Sequence, residues 1–207
     1  NLIIGKMKPH YPGHAEQFMH AFWGVGQMSF VKHALFVDDK APDLHDYEAI
    51  TKYILNRLCK ETILITRGVV DHLDHSANKQ FVGGKLGIDA TGDVVPHSPL
   101  SMLSDLKLFE KAYALDNLLQ SLHQIMQDTA NPITLIKYKK TKPAKHIFET
   151  LKPLSQNTKI IILIDDTNHD DLKNLYMILW RVVNNIDAGR DIYLDCGFIG
   201  VDASSKN

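Results

Sequence analysis

The sequence predicts an α/β protein with mainly parallel sheet flanked by helices, built from two duplicated βαβαβ halves, 1–98 and 131–207, joined by a helical bridge at 99–130. Three observations lead there. Short Ile-, Leu- and Val-rich runs alternate with amphipathic segments, the order expected of strands and helices in a parallel α/β fold. The apolar runs are continuous rather than alternating, as in strands buried on both faces. The order of elements also recurs, at a nearly constant offset.

In the first half, Leu2–Lys8 reads as a strand bounded by Pro9, and Pro12-Gly13-His14 opens a helix through about Trp23 with Phe18, Met19 and Phe22 on one face. His33–Val37 is a second strand, ended by Asp38-Asp39. Asp43 caps the next helix, whose stripe is Leu44, Tyr47, Ile50, Ile54 and Leu58. Thr62–Thr66 is a third strand, and a loop of about twenty residues then ends in Gly87-Ile88-Asp89-Ala90-Thr91. Pro99 to Gln127 is read as one long helix or two, opened by Ser98, with Leu103, Leu106, Phe109, Tyr113, Leu118, Leu122 and Ile125 as its apolar face. In the second half, Ile133–Lys139 is a strand, Pro143 opens a helix through about Leu151, and Ile160–Ile164 is a strand ending in Asp165-Asp166. Asp171 caps a helix with Leu172, Leu175, Ile178, Val182 and Ile186 in line, and Asp191–Leu194 precedes Gly200-Val201-Asp202-Ala203-Ser204. Asp38 pairs with Asp165 at an offset of 127, and Leu44, Ile50, Ile54, Asn56 and Leu58 pair with Leu172, Ile178, Val182, Asn184 and Ile186 at 128. Such agreement points to an internal duplication.

With 44% hydrophobic residues among 207, the chain can bury a sizeable core. A formal charge of -1 argues against nucleic acid and leaves at most peripheral membrane association. The lysines at 137, 139, 140, 142 and 145 have no interleaved aromatics and read as a solvated face. Cys59 and Cys196 lack metal or disulfide spacing and fit a reducing cytoplasm. The start at Asn1 within a strand-like run suggests a piece of a longer polypeptide.

Motifs that carry chemistry are sparse. His72 and His75 form the closest histidine pair but have no evident third ligand, so no metal site is assigned. Gly24-Val25-Gly26 follows a helix and lacks a third glycine, and Gly83-Gly84-Lys85 continues into Leu86, so neither is a phosphate loop. Asp38-Asp39 and Asp165-Asp166 stand at strand ends, where ligands gather in open α/β sheets, although turn and capping chemistry is the favoured explanation for them.

Four runs together do carry a resemblance. Tyr11-Pro12-Gly13-His14-Ala15, Phe22-Trp23-Gly24-Val25-Gly26-Gln27-Met28-Ser29-Phe30, Val37-Asp38-Asp39 and Gly84-Lys85-Leu86-Gly87-Ile88-Asp89-Ala90-Thr91 are similar, in order and spacing, to the C-terminal third of the UbiD family of 3-polyprenyl-4-hydroxybenzoate carboxy-lyases. Asp71-His72-Leu73-Asp74-His75 lies where that family tends to carry D-Y-L-D-F. The resemblance covers roughly residues 2 to 93. It implies a homo-oligomeric, cytoplasmic decarboxylase of quinone biosynthesis. Such a parent would use prenylated FMN and a divalent metal in an upstream flavin domain, with the cofactor supplied by a flavin prenyltransferase. It implies no catalytic residue in this stretch, which would mainly build oligomer contacts, and it brings Gln27, Lys32 and Lys85 nearest the active site. A salt bridge from Lys85 to Asp89 is the structural alternative for the last of these. Such enzymes end soon after the D-A-T run, whereas this chain continues into a second copy. The competing readings are an independent protein–protein interaction module and a small-molecule or nucleotide-binding α/β domain.

Overall fold

A computed structural model describes residues 1–96, 99–166 and 171–206. Two units make up the chain: Asn1–Pro96 with Asp187–Arg190, and His97–Ile186 with Asp191–Asn207.

The first unit is a four-stranded sheet in the order β1-β2-β4-β3, comprising β1 (Leu2–Lys6), β2 (His33–Val37), β3 (Ile63–Val69) and β4 (Val82–Ala90). β1, β2 and β4 run parallel, whereas β3 is antiparallel to β4 from Ile63↔Ile88 to Val69↔Val82. Alternate side chains of β2 serve opposite faces. Ala34 and Phe36 join Ala15 and Met19 of helix α1 (His14–Trp23), while Val37 joins Ile50 and Ile54 of helix α2 (Tyr47–Leu55). That is why β2 reads as uniformly apolar. Gly13 precedes α1 with φ of 82°, a left-handed conformation that glycine adopts without a Cβ penalty.

The second unit is a five-stranded sheet, β5-β6-β7-β9-β8, of β5 (Leu119–Ile125), β6 (Ile133–Tyr138), β7 (Ile160–Asp165), β8 (Ile192–Tyr193) and β9 (Ile199–Asp202). β6, β7 and β9 are parallel; β5 and β8 are antiparallel to their neighbours. Helices α3 (Asp105–Leu115) and α4 (Ala144–Leu151) share one core with the sheet, in which Leu108, Ala112, Ile136, Phe148 and Leu163 are buried. Helix α5 (Leu175–Asn185) has Ile178 as its one buried residue. Among the described residues no helix is long and apolar enough to cross a membrane.

Several sequence expectations need correction. The sheets are mixed rather than mainly parallel, because an antiparallel strand flanks the parallel core of each. The run ending in Gly87-Ile88-Asp89-Ala90 is not the end of a loop but β4, at the centre of its sheet. The expected helical bridge is helix only from Asp105 to Leu115; Leu122 and Ile125 lie on β5. Asp116 ends the helix by accepting from Leu118 N (3.1 Å), and antiparallel pairing with β6 then overrides the helical spacing. Ser98 lies outside the described residues, and the cap of α3 is Ser104. Asp46 and Asn174, rather than Asp43 and Asp171, cap α2 and α5. Asp43 and Asp171 instead close the preceding turns, accepting from His45 N and Lys173 N at 2.9 Å each. Tyr47, expected on the buried stripe, is consequently 74% exposed.

Candidate functional site

A group of buried charges lies in the first unit, where Asp74 is paired with Lys32 and its charge also acts on Lys85. Lys32 precedes β2 and is 1% exposed; Lys85, on β4, is wholly buried. Parallel pairing sets their strands side by side, with His33 opposite Leu86. Lys32 Nζ donates to Asp74 Oδ1 (3.1 Å) and to Ser76 Oγ (2.5 Å), and Asp74 in turn accepts from Ser76 N and Oγ (3.0 and 2.9 Å). Lys85 Nζ donates to the carbonyls of Ser29 (2.5 Å) and Val31 (2.7 Å). One lysine therefore holds the Asp71–Ser76 loop, and the other holds the turn of 3-10 helix at Gly26–Phe30 on which Gln27 is exposed.

The expected Lys85–Asp89 salt bridge does not form. Residues four apart on a strand are separated by about 13 Å, and Asp89 instead accepts from Thr91 N (2.9 Å) and Oγ1 (2.7 Å). Asp74-His75-Ser76 and Asp202-Ala203-Ser204 repeat that pattern. Asp74 and Ser76 escaped the sequence reading, which weighed the histidines beside them. The Asp-x-Ser/Thr spacing, shared with the two D-A-[ST] runs, is the signal that marks them. His72 and His75 are exposed, His72 lying 5.9 Å from the Phe81 ring. No group of three or more metal-ligating side chains is found among the described residues.

Burial pushes Lys85 down to about 8, reinforced by the Lys32 charge and opposed by Asp74. In the unfolded chain the same group titrates near 10.5. Between those values the unfolded state binds the extra proton, so this residue's contribution rises as pH climbs through the window and falls as pH drops through about 8. The melting temperature of the chain should therefore gain on that of a Lys85→Met variant from pH 8 to 10.5. Parallel curves in differential scanning calorimetry would refute the assignment.

The strand-end carboxylates are engaged in both units. Asp38 accepts from Tyr53 OH (2.7 Å) and Lys40 N (2.8 Å); burial, then the Asp38 contact, push the Tyr53 phenol up to about 12. Asp165 accepts from Arg181 Nη1 (3.1 Å) and from Ser205 N and Oγ (2.8 and 2.6 Å). Tyr53 and Arg181 are themselves 128 residues apart, so the two carboxylates are tied to the same helical position in each unit. Beside Asp165, a cleft of about 470 Å³ is lined by Lys140, Thr141, Lys142, Pro143 and Ser205. Its lysines are already committed, Lys140 to Asp202 (3.0 Å) and Lys142 to Asp116 (2.9 Å). Burial raises Asp202, but Lys206, Ser204 and Lys140 outweigh it and hold the carboxyl below its ordinary value.

A second cleft, of about 310 Å³, lies in the first unit among Arg67, Asn78, Lys79 and Arg190, above Gly83 and Gly84. Gly84 N donates to Asp187 Oδ2 (2.8 Å), and a Cβ on Gly84 would come within 2.6 Å of Gly189 N. Close backbone approach thus explains one glycine of the Gly84–Thr91 motif.

The motif runs lie on α1, the Gly26–Phe30 turn, β2 and β4 of the first unit, a mixed α/β domain. The family model for the 3-octaprenyl-4-hydroxybenzoate carboxy-lyase C-terminal domain matches residues 1–90, so this part of the chain resembles the C-terminal region of the UbiD family. An uncharacterized protein of Helicobacter pylori is 44% identical over all 207 residues, which are 33% of its length. An uncharacterized protein of Archaeoglobus fulgidus is 38% identical over 93 residues, 44% of this chain and 19% of that protein. The chain thus spans about a third of the Helicobacter protein, and that match runs through both units.

Among solved structures, vanillic acid decarboxylase of Sedimentibacter hydroxybenzoicus in open form is similar at a TM-score of 0.41 and 22% identity, over 55% of this chain and 26% of that one. An evolved dimeric form of the UbiD-class enzyme HmfF from Pelotomaculum thermopropionicum, in complex with prFMN, gives 0.41 and 11%, over 70% and 40%.

Proposed function

We propose that the chain is the C-terminal, mainly structural and oligomerising portion of a UbiD-type carboxy-lyase that decarboxylates a prenylated hydroxybenzoate or related aromatic acid in quinone biosynthesis. The observation that carries this reading is the family match over residues 1–90, whose motif runs lie on α1, the Gly26–Phe30 turn, β2 and β4 of a single unit. The charges of that unit support a structural part: Lys32 is engaged by Asp74 and Ser76, and Lys85 by the carbonyls of Ser29 and Val31. The reading therefore assigns prenylated FMN, its divalent metal and the catalytic residues to the remainder of a parent about three times as long, with a flavin prenyltransferase as supplier. The cofactor would serve there as the electron sink for decarboxylation. Lys32 and Lys85 act at a distance, fixing the turn that presents Gln27 towards the flavin domain.

The duplication reading, with halves 1–98 and 131–207 and a link at 99–130, draws support from strand order. β1-β2-β4-β3 recurs as β6-β7-β9-β8 with the same parallel and antiparallel neighbours, and α3 and β5 are additions to the second sheet. The engaged states of Asp38 and Asp165 count against a ligand site at the strand ends.

Flavin content and CO2 release, measured for the full-length parent and for this chain after production with the prenyltransferase, test the reading. The parent should bind flavin and release CO2, and the chain should do neither while staying folded. Flavin binding or turnover by the chain alone would overturn it.

A further inference from the structure

Helix α5 carries an apolar face towards solvent that its counterpart in the first unit does not. Leu175, Tyr176, Leu179 and Trp180 are 42%, 76%, 51% and 52% exposed, with Met177 at the rim at 38%. At 100° per residue, these four and half-buried Val183 fall within about 140° of arc, forming one stripe without a charge. Arg181 lies off the stripe and is bound to Asp165. At the offset of 128, the positions of Tyr176, Leu179 and Trp180 are held in α2 by Glu48, Thr51 and Lys52, and Glu48 and Lys52 form a surface ion pair at 2.8 Å. Leu175 corresponds to exposed Tyr47, so the face is polar at three of these four positions in one unit and apolar at all four in the other.

We propose that this stripe of α5 is the contact surface for a second copy of the chain, paired about a two-fold axis near Leu179. Two features fit a second copy. An isologous contact sets each residue against the same patch of its twin, so any charge near the axis would meet its like; the stripe has none. The area also suffices. Five large side chains of about 200 Å² each, roughly half exposed, expose about 500 Å² per copy, and pairing would bury about 1,000 Å² in total, the lower bound for a specific interface. A two-fold axis at Leu179 sets Leu175 against the partner's Val183. The inference rests on the assembly reading above and gives it a location.

Sedimentation equilibrium of the chain, with Leu179→Glu and Leu179→Lys variants, tests it. Leu179 is half exposed, so both variants should keep the parental circular dichroism. The unaltered chain should dimerise; each variant alone should dimerise at least about tenfold more weakly, and an equimolar mixture of the two should regain a dimer by pairing Glu with Lys at the axis. A chain that stays monomeric at about 100 μM would overturn both this inference and the assembly reading. Variants that associate as tightly as the parent would overturn the α5 surface while leaving assembly intact. A mixture that remains monomeric would overturn the two-fold pairing.

Discussion

Asp74→Ala is expected to destabilise the first unit by about 3–5 kcal/mol, because it leaves a buried cation without its counter-charge. The side chains of Lys32 and Asp74 are 1% and 2% exposed, and neither can recruit bulk water without opening the loop. The change also frees Ser76 Oγ and N from their acceptor and removes the charge that offsets the repulsion between Lys32 and Lys85. Like charge and burial then act together on two lysines rather than one. Hydrogen exchange followed by mass spectrometry should report early exchange in β2 and β4, with β6 and β7 of the second unit left as they were. Asp74→Asn, which keeps an acceptor but no charge, should fall between. An Asp74→Ala chain within about 1 kcal/mol of the parent would mean that Lys32 can discharge or reach solvent, and the cluster would lose its standing as a structural clamp.

Phe148→Ala should cost the second unit about 3–5 kcal/mol. The ring is fully buried on α4, 5.1 Å from the Tyr193 ring and 6.0 Å from that of Phe198, and three of its atoms lie 3.0 Å from where a Cβ of Gly200 would stand. That approach to a glycine in β9 lets α4 sit low on the sheet, so removing the ring empties space that no neighbour can fill by a rotamer change. Urea denaturation of the variant, with exchange at β6 and β9 as the local readout, measures the loss. Phe148→Leu should recover part of it. A loss below about 1 kcal/mol would show that α4 settles onto the sheet and closes the cavity.

Where one local pattern had no rival, the sequence was legible. β2 is His33–Val37 as its apolar run indicates, and α4 begins directly after Pro143. Cap positions slipped because two competent residues stood in line; Asp43 and Asp46 both accept backbone donors, one in a turn and one at the helix start. β5 was read as helix because Leu118, Leu122 and Ile125 have helical spacing, while its strand state depends on β6 and on Gln124, bonded to Leu103 O and Asp105. β4 was hidden for a related reason. Its glycines lower strand propensity, and the close approach to Asp187 and Gly189 that explains Gly84 is invisible in one dimension. Of the candidate site, Lys32 and Lys85 could be singled out by motif position. Asp74, the partner of Lys32, required knowing that the loop after β3 folds back over the start of β2.

The placement of the antiparallel strands has a kinetic consequence. In the first unit the long local pairing is β3 with β4, running from Ile63 to Val69, whereas the corresponding β8 and β9 match only Ile192 and Tyr193. In the second unit the long local pairing is β5 with β6, on the opposite side of the shared strand order. Chain segments close in sequence meet first, since closing larger loops costs more entropy before any contact forms. The two sheets, alike in strand order once complete, would thus begin folding from opposite edges, and mutations at equivalent strand positions should slow refolding of one unit and leave that of the other unchanged.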